Sequence, residues 1–326
     1  MKYDVITFGS ATLDIFLRAD EFAIKPIKKF VTKKGVCFPF GSKVDVKNLY
    51  FQTGGGGTNV AAFLASQGLK VAFCGEIGDD FAGKEVLKDL KKFKVNCKLI
   101  FKTEKVATNL SVIFSFGRER TCFVWRGASE FLTKEKIPWE KLNAKWFYLA
   151  PLSGRAAQLF EPLVNFAKEH KIYVFANPGN SQINLGMKVL KPILSKIDIL
   201  LLNQEEASLL TKIPYQKEKE IFKKLNELVN GIVIMTKGAK GAVVSDGSYL
   251  WQARPIEVSV VEKTGAGDAF GAGFLKGFME KGDIAFSLQL GLANATACIQ
   301  KIGAKQGFLK KDQPWKKVKV TKKRLK

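Results

Sequence analysis

The feature that most constrains this chain is a regular alternation of short apolar runs with helical patterns. Between the runs, apolar residues recur with helical spacing, as at 60–66, 84–93 and 221–229. The apolar runs are typical of strands buried on both faces and lie at 5–8, 71–77, 146–150, 172–175, 197–202 and 232–235. This alternation predicts an α/β fold with a mostly parallel sheet and helices on both of its faces.

Two segments depart from this alternation, at about 15–52 and about 99–126. Both contain the alternating apolar and polar residues of strands with one exposed face, and 117–120 predicts a hairpin turn. We expect them to form a small β-rich lid on a single domain that spans 1–310. The basic segment 311–326 is predicted to be a frayed, solvated tail.

Two further strand signals lie late in the chain. Asp246-Gly247 separates two short apolar runs and predicts a tight hairpin. The run 256–261 also resembles a strand, and it ends just before a glycine-rich helix start.

Charge and composition narrow the classes of partner. The net charge is +23, which favours anionic partners such as nucleotides, phosphates or nucleic acid. Only Trp315 lies near the densest basic run to stack on a base, so nucleic acid is not expected as a partner. No apolar run reaches the roughly 18 residues needed to cross a membrane. Asp4 interrupts any secretory signal, and we expect a cytoplasmic location.

The titratable residues restrict the chemistry. The five cysteines include no C-x-x-C pair, which predicts free thiols rather than disulfides or a zinc site. The single histidine, His170, falls at a predicted helix end. Catalysis should therefore depend on carboxylates, backbone amides and lysines.

The strongest motif spans 263–270. Small residues at 265–267 open a helix, so their backbone N–H groups can converge on an anion with the helix dipole behind them. Asp268 follows directly, where a carboxylate suits a general base for an attacking hydroxyl. The alternative is an ordinary capping aspartate.

A second motif, 53–59, has four consecutive glycines followed by Thr58 and Asn59 at a helix start. Bare backbone there can approach a polyol closely, and Asn59 offers both a donor and an acceptor. The alternative is a flexible turn. The segment 78–85 matches most of a phosphate-binding P-loop, but Glu85 stands where that loop needs Ser or Thr, and we exclude it.

Together these motifs resemble the ribokinase-like carbohydrate kinases, also called the phosphofructokinase-B family. The resemblance extends to about Gly307. It also includes Gly9-Ser10 followed by Asp14, the Asn-x-x-Glu element at 203–206, and a loop at 236–241 similar to the family's nucleotide-binding loop.

The resemblance implies an ATP-dependent kinase that phosphorylates a hydroxyl of a small sugar or sugar derivative, with ATP and Mg²⁺ as cofactors. Asp268 would be the general base, and the amides of Gly265, Ala266 and Gly267 would form the anion hole. The implied substrate contacts are Asp14, Gly54, Gly55, Asn59 and Arg126. The implied nucleotide contacts are Asn203, Glu206, Thr236, Lys237, Gly238, Gly241 and Asn294, with Glu206 also at the metal.

Three departures qualify the resemblance. Gly56 stands where ribokinases often carry a lysine, which weakens ribose as the substrate. Glu262-Lys263 replaces the usual Asp-Thr, so a monovalent-cation site is not expected. Arg120 and Arg126 lie on the second lid segment, and Arg126 suits either an anionic substrate or a solvated strand end.

Two other functions remain as alternatives. A nucleoside kinase of the same fold shares every one of these motifs. A nucleic-acid-binding protein built on a kinase fold is disfavoured by the intact Asp268 motif. A homodimer formed through the lid is a candidate assembly.

Overall fold

A computed structural model describes residues 2–18, 22–28, 33–116 and 119–325. Its strands are β1 Tyr3–Phe8, β2 Thr12–Arg18, β3 Ala23–Pro26, β4 Lys34–Cys37, β5 Asn48–Gly54, β6 Val71–Gly78, β7 Ile100–Thr103, β8 Asn109–Phe116, β9 Glu119–Trp125, β10 Ala144–Leu149, β11 Tyr173–Ala176, β12 Ile199–Asn203, β13 Ile232–Thr236, β14 Ala242–Ser245, β15 Tyr249–Ala253 and β16 Thr321–Arg324. Its α-helices are α1 Gly56–Ser66, α2 Phe81–Lys92, α3 Phe160–Glu169, α4 Asn180–Ile183, α5 Met187–Leu194, α6 Gln204–Thr211, α7 Glu218–Leu228, α8 Ala266–Lys281 and α9 Ile284–Cys298.

The main sheet has the order β16-β15-β14-β13-β12-β11-β10-β1-β6-β7. Seven neighbouring strands of this sheet are parallel, in the order β13-β12-β11-β10-β1-β6-β7. This confirms the α/β fold predicted from the alternation. The strands β14, β15 and β16 extend one edge antiparallel. Asp246-Gly247 forms the predicted turn between β14 and β15, with Gly247 at φ 86° and the Asp246 carboxylate accepting from the N–H groups of residues 248 and 249.

The hydrophobic core lies on both faces of this sheet. In β10, Phe147 and Leu149 pack with α3, α5 and α7 on one face, while Trp146 and Tyr148 pack with α1, α8 and α9 on the other. Alternate residues of one strand thus enter separate cores, as expected of a parallel sheet covered on both sides.

The lid is a second sheet with the order β5-β2-β8-β9. Its existence agrees with the prediction, but its bounds differ. It begins at Thr12 and extends to Gly54, and the predicted second segment is divided, because β7 pairs with β6 in the main sheet. The hairpin of β8 and β9 is present, and its turn residues 117–118 lie outside the described residues.

The basic C-terminal segment is not a frayed tail. Trp315 packs on Phe286 with ring centroids 5.9 Å apart, and β16 pairs with β15. Lys322 lies over the rings of Tyr249 and Trp251, which adds cation–π attraction to the strand pairing. The prediction of a frayed tail was wrong because it was based on the charged side chains, which form only the exposed face of the segment.

The predicted strand at 256–261 is also wrong. Residues 254–260 have no regular structure, although Val261 and Glu262 both donate backbone hydrogen bonds to Ile299 O. The apolar residues in this run, such as Val260 and Val261, are exposed. The apolar pattern therefore marks neither a strand nor a part of the hydrophobic core.

The remaining predictions concern isolated residues. The five cysteines are free thiols, and His170 is exposed at the end of α3, stacked on Phe166. In the part of the chain that the structure describes, no helix combines the length and apolar character that a membrane span requires.

Candidate active site

The two glycine-rich motifs meet where α1 and α8 begin. Asn59 in the first motif donates from Nδ2 to Asp268 Oδ2 in the second, at 2.8 Å. Ser10, two residues after the end of β1, accepts a hydrogen bond from Gly56 N–H at 3.3 Å. The site therefore lies at the carboxyl ends of the parallel strands, where open α/β sheets bind ligands.

Bare backbone lets the first motif approach both carboxylates of the site. A Cβ atom on Gly54 would lie 2.0 Å from Asp14 Oδ2, and one on Gly56 would lie 3.3 Å from Asp268 Oδ1. Gly55, with φ 98°, lies between them. A side chain at position 56, such as the lysine of many ribokinases, would enter the space beside Asp268.

The surroundings of Asp14 disfavour its charge. It lies in β2 of the lid with 5% of its side chain exposed, and it is hydrogen-bonded to Ser111 of β8. Burial raises the pKa of Asp14 to about 6, while Ser111 and the positive charge of Lys305 oppose that rise. Asp14 is therefore suited to hydrogen bonding with polar groups of a ligand.

Asp268 lies in the first turn of α8. Burial raises its pKa, and the bond from Asn59 and the charge of Lys305 act in the opposite direction. A carboxylate with a raised pKa binds a proton more strongly than an ordinary one, which suits a general base.

The N-terminus of α8 provides backbone donors beside Asp268. Gly265 precedes the helix at φ 80°, Ala266 N–H donates to Lys263 O at 3.3 Å, and Gly267 is exposed with open space around it. The first N–H groups of a helix lack intrahelical acceptors, so this turn can receive an anion.

Arg120 of the lid binds the segment before α8. Its guanidinium pairs with the carboxylate of Glu262, which is 7% exposed, and Arg120 Nη1 donates to Thr264 Oγ1 at 2.8 Å. Thr264 also donates to Glu262 Oε1 from both its N–H and its hydroxyl. These contacts thus fix the outer lid strand β9 to the loop that precedes α8.

The residues with implied nucleotide contacts lie on β12 and β13, farther along the same edge. Asn203 and Glu206 form a reciprocal cap of α6, each side chain accepting from the backbone N–H of the other at 2.8 Å. Thr236 ends β13, and the loop after it closes when Lys237 N–H donates to Gly241 O at 2.7 Å. Gly238 lies within this loop, in the left-handed region.

The donor set fits Mg²⁺ only through an indirect contact. Among the described residues, no three acidic, histidine or cysteine side chains lie close enough together to hold a metal ion. The Glu206 carboxylate uses one oxygen in the α6 cap, and burial raises its pKa. Since Mg²⁺ usually keeps several waters, Glu206 can orient a metal-bound water with its other oxygen.

Two residues with predicted contacts, Asn294 and Arg126, lie in surroundings that the sequence did not indicate. Asn294 is fully buried; its Nδ2 donates to Ala269 O at 2.7 Å and its Oδ1 accepts from Leu309 N–H at 3.0 Å. These two bonds link α8 and α9 to the loop beyond α9, and the contact of Asn294 with the nucleotide stays a prediction. Arg126 is exposed just after β9, whereas Arg120 is the lid arginine that reaches the loop before α8.

The excluded P-loop segment has a structural task instead. Asp80 caps α2 by accepting from Gly83 N–H at 2.7 Å, and it also accepts from the backbone N–H and hydroxyl of Thr108. Its carboxylate therefore fixes the connection between β7 and β8 and is not available for phosphate binding.

Sequence reasoning missed Lys305 and Asp89, and it gave Thr53 no role of its own within the motif 53–59. The side chain of Lys305 is 1% exposed. Its ammonium group lies between Thr53, near the end of β5, and Asp89 of α2. A single lysine in a chain rich in lysine carries no signal of burial. The small residues Gly303-Ala304 just before it are the only sequence feature that could have drawn notice.

Comparison with known proteins agrees with the fold. The sequence profile described as pfkB family carbohydrate kinase matches residues 5–311. The chain is 29% identical to a cytidine kinase from Thermococcus kodakarensis, over 82% of this chain and 92% of that protein. It is 26% identical to an ATP-dependent 6-phosphofructokinase from Thermoanaerobacterium thermosaccharolyticum, over 93% and 90%. The structure of Arabidopsis thaliana ribokinase complexed with ribose and ATP superposes with a TM-score of 0.75 at 23% identity, covering 94% of this chain and 96% of that one.

Proposed function

This chain belongs to the pfkB family of carbohydrate kinases, and we propose that Asp268 is the general base of its phosphoryl transfer from ATP to a sugar-like hydroxyl. The chain is an ATP-dependent phosphotransferase with an alcohol group as acceptor. The observation that carries the proposal is the pairing of Asn59 with Asp268 at the first turn of α8, where an anion hole and a proton acceptor adjoin.

The reaction follows from this placement. As the acceptor hydroxyl attacks the γ-phosphorus of ATP, its proton passes to an oxygen of Asp268. A new phosphorus–oxygen bond forms, and the bond between the γ-phosphorus and the β,γ-bridging oxygen breaks, which releases ADP. The backbone N–H groups of 265–267 stabilise the charge that develops on the γ-phosphoryl oxygens.

Substrate recognition is proposed to depend on Asp14, Asn59 and the backbone of Gly54 and Gly55. Asn59 Oδ1 is buried and has no hydrogen-bond partner among the described residues. A buried acceptor without a partner is costly, so a hydroxyl donor from the substrate would stabilise it. Asp14 provides a second acceptor on the lid side.

ATP is proposed to lie along the ends of β12 and β13. Asn203, Thr236, Lys237, Gly238 and Gly241 are the proposed contacts. Mg²⁺ supplies charge neutralisation of the phosphates when bound, and Glu206 is the residue that would hold it, through water. The ammonium group of Lys237 pairs with Glu218 at 3.0 Å.

A nucleoside acceptor is the second candidate. Phe16 and Tyr50 pair directly across β2 and β5, on the same lid face as Asp14, and line a small cavity next to Glu262. An aromatic pair under the lid suits a nucleobase, which stacks on aromatic side chains. The cytidine kinase relative is consistent with this candidate.

The test is a coupled ADP-release screen with purified enzyme, MgATP and one acceptor at a time. The panel contains ribose, fructose, keto-deoxy sugar acids, sugar phosphates, cytidine and adenosine. Acceptor-dependent ADP release, with phosphate on the acceptor by ³¹P NMR, supports the function and identifies the class. ADP release that never exceeds the acceptor-free rate for any compound, in folded protein that binds ATP, would contradict it.

Location and assembly are also proposals. A cytoplasmic location accords with the use of ATP and with the free thiols. A homodimer is proposed to form through the outer lid face, which comprises Leu49, Phe51, Phe123 and Trp125. These side chains are each more than half exposed and lie on the face of the lid opposite Asp14. Exposed apolar patches of this kind mark interaction surfaces.

A further inference from the structure

Lys305 is a buried cation that the proposed mechanism does not use. Its side chain is 1% exposed, and its ammonium group donates to Thr53 Oγ1 at 2.8 Å and lies 3.4 Å from Asp89 Oδ2. Thr53 Oγ1 in turn donates to Asp89 Oδ2 at 2.5 Å. These bonds join the lid strand β5, the helix α2 and the segment 299–306, which follows α9. Burial of an ammonium group is costly unless it is paired and hydrogen-bonded, so the three parts are stable only together.

The segment 299–306 contacts β5 a second time, at Gln52. Gln306 Nε2 donates to Gln52 Oε1 at 2.9 Å. Gly303 lies against the same side chain, since a Cβ atom on Gly303 would lie 2.8 Å from Gln52 Cγ. Two consecutive residues of β5, Gln52 and Thr53, are thus held by one segment, through the exposed Gln306 and the buried Lys305.

The lid end of this connection lies beside Asp14, the proposed substrate ligand on the lid. The strands β2 and β5 are antiparallel, with Leu13 opposite Thr53 and Asp14 opposite Gln52. Directly opposite residues of an antiparallel pair point to the same face, with their Cβ atoms about 5 Å apart. The position of Gln52 and Thr53 therefore sets the position of Asp14.

The segment 299–306 also contacts the loop that forms the anion hole. Ala304 packs so closely on Gly265 that a Cβ atom on this glycine would lie 2.4 Å from Ala304 Cβ. The N–H groups of Val261 and Glu262 both donate to Ile299 O, at 2.8 and 3.2 Å. One short segment thus contacts the lid strand that carries Thr53 and the turn that opens α8.

We propose that Lys305 and Gln306 are positioning residues of the phosphoryl-transfer site, which hold Asp14 of the lid in a fixed position relative to the anion hole at 265–267. An acceptor bound by Asp14 then meets the γ-phosphoryl group in a constant geometry, and rates of reaction are sensitive to displacements of about 1 Å. The part that concerns turnover rests on the proposed function. The connection itself does not, and it can be measured without substrate.

The main variant is Thr53→Val/Gln306→Ala, which removes both side-chain hydrogen bonds between β5 and the segment 299–306. Lys305 keeps Asp89 as its partner, so no buried charge is left alone. A second variant, Lys305→Met/Asp89→Asn, breaks the bond to Thr53 from the other side and removes both charges of the pair together. Thr121→Val is the matched control, since it makes the same change at an exposed position of the lid strand β9.

The first readout is hydrogen exchange of the substrate-free proteins by mass spectrometry. It follows three peptides: 48–54 of the lid, 262–268 at the anion hole, and 218–228 of α7, which packs on the opposite face of the main sheet. In the main variant we expect exchange to be about threefold or more faster in the first two peptides and unchanged in α7. The second variant should show the same pattern, and Thr121→Val should match the parent throughout.

Two other patterns would overturn the proposal. Faster exchange confined to 48–54 would show that the contacts only pack the base of the lid. An equal increase in all three peptides would show a general loss of stability and no specific connection between the lid and the anion hole.

The second readout uses an acceptor from the screen. In the main variant kcat should fall by about tenfold and the KM of the acceptor should rise, because the hydroxyl is displaced from the phosphoryl group. The Kd of ATP should be unchanged, since its proposed contacts lie on β12 and β13 in the other sheet. A loss of ATP affinity as large as the loss of kcat would contradict a positioning role.

The two proposals fail separately. Absence of turnover in the parent contradicts the kinase function, whereas the exchange pattern decides the role of Lys305 and Gln306 in either case.

Discussion

At the scale of single residues, the two site carboxylates occupy different surroundings and are suited to different tasks. Asp14 is enclosed between lid strands and bonded to Ser111, while Asp268 opens a helix and is held by Asn59. A carboxylate at a helix N-terminus is stabilised by the helix dipole, and one enclosed in a sheet is not. This difference favours Asp268 as the proton acceptor and Asp14 as a substrate ligand.

Replacing Asp14 with Asn should stabilise the protein above pH 6. The folded-state pKa of about 6 lies above the unfolded value near 3.8, so the parent loses stability as pH rises through that window. Asn carries no charge, and the variant should be more stable at pH 8 by up to about 3 kcal/mol. The difference should disappear near pH 4.

Denaturant unfolding at pH 4, 6 and 8 measures this effect. Asp312→Asn, at an exposed position, is the matched control and should show no pH-dependent difference from the parent. A stability difference between Asp14→Asn and the parent that stays constant over this range would show that Asp14 ionises normally in the folded protein.

The sequence singled out residues that follow a glycine-rich turn, and the structure brings two of them, Asn59 and Asp268, into contact. Asp268 and Asn59 each follow glycines at a helix start, and that context restricts what their side chains can do. Lys305 gave no such signal, because lysine is nearly always solvated and only the tertiary structure encloses it. The sequence likewise could not show that the amide group of Asn294 has hydrogen-bond partners, since both partners are backbone groups distant in the sequence.

At the scale of elements, the contact of β9 with the loop before α8 bears on cation dependence. The Glu262 carboxylate is engaged by Arg120 and by Thr264, and Lys263 adds a second positive charge beside it. A monovalent cation would have to displace the guanidinium. Turnover should therefore be equal within about twofold in sodium, potassium or a bulky organic cation at matched ionic strength. A twofold difference in rate is well below the tenfold change that about 1.4 kcal/mol of activation free energy would cause.

Arg120→Gln provides the complementary variant. It removes the guanidinium charge, so that of these two partners only Thr264 still binds the Glu262 carboxylate. A severalfold activation of the parent protein by potassium alone would show that a cation site coexists with the Arg120 contact, and the exclusion of cations by the guanidinium would be wrong.

The C-terminal segment should contribute to stability and not to turnover. A chain ending at Gln313 loses β16 and the half-buried side chains of Trp315, Val318 and Val320, which pack against the core. We expect a loss of about 2–4 kcal/mol in the free energy of unfolding. The turnover number at low temperature should be unchanged, because β16 lies at the sheet edge away from β1.

Thermal melts and kcat at a temperature well below the melt separate the two effects. Lys322→Gln within the full chain is the milder control, since it removes only the contacts with Tyr249 and Trp251. A truncated protein that melts with the parent would show that β16 is not stably paired. One that is folded but turns over much more slowly would assign the segment a catalytic task.

Element-level prediction depended on the kind of burial. Strands such as β6 and β10, enclosed on both faces, appeared as continuous apolar runs and were found from the sequence. The strand β16 is wholly exposed and pairs through its backbone, so its composition gave no warning. Residues 256–261 show the converse, an apolar run that lies on the surface without a strand partner.

At the scale of the whole molecule, the outer lid face predicts a dimer. Four large apolar side chains are exposed together there, and a second copy would cover them. Sedimentation equilibrium should give a dimer for the parent and a monomer for Phe123→Lys. Phe81→Lys replaces a phenylalanine that is 66% exposed at the start of α2, outside the lid, and should remain dimeric.

A monomeric parent at micromolar concentration would contradict the dimer and leave the kinase site unaffected. Equal loss of dimer in both variants would place the interface elsewhere on the surface.

The central claim is that Asp268 accepts the proton of the attacking hydroxyl, and one variant tests it most directly. Asp268→Asn keeps the size of the side chain, and Asn at the start of a helix should preserve the fold. It cannot accept a proton at neutral pH, so kcat should fall by about 10²–10⁴-fold. The Kd of ATP should be unchanged or slightly lower, because a negative charge beside the phosphates is removed.

The measurement is kcat together with the Kd of ATP for parent and variant, with a thermal melt to confirm folding. We predict a large loss of kcat with ATP binding intact. Turnover within about threefold of the parent, far below the general-base range, would contradict the claim and reduce Asp268 to a helix-capping residue.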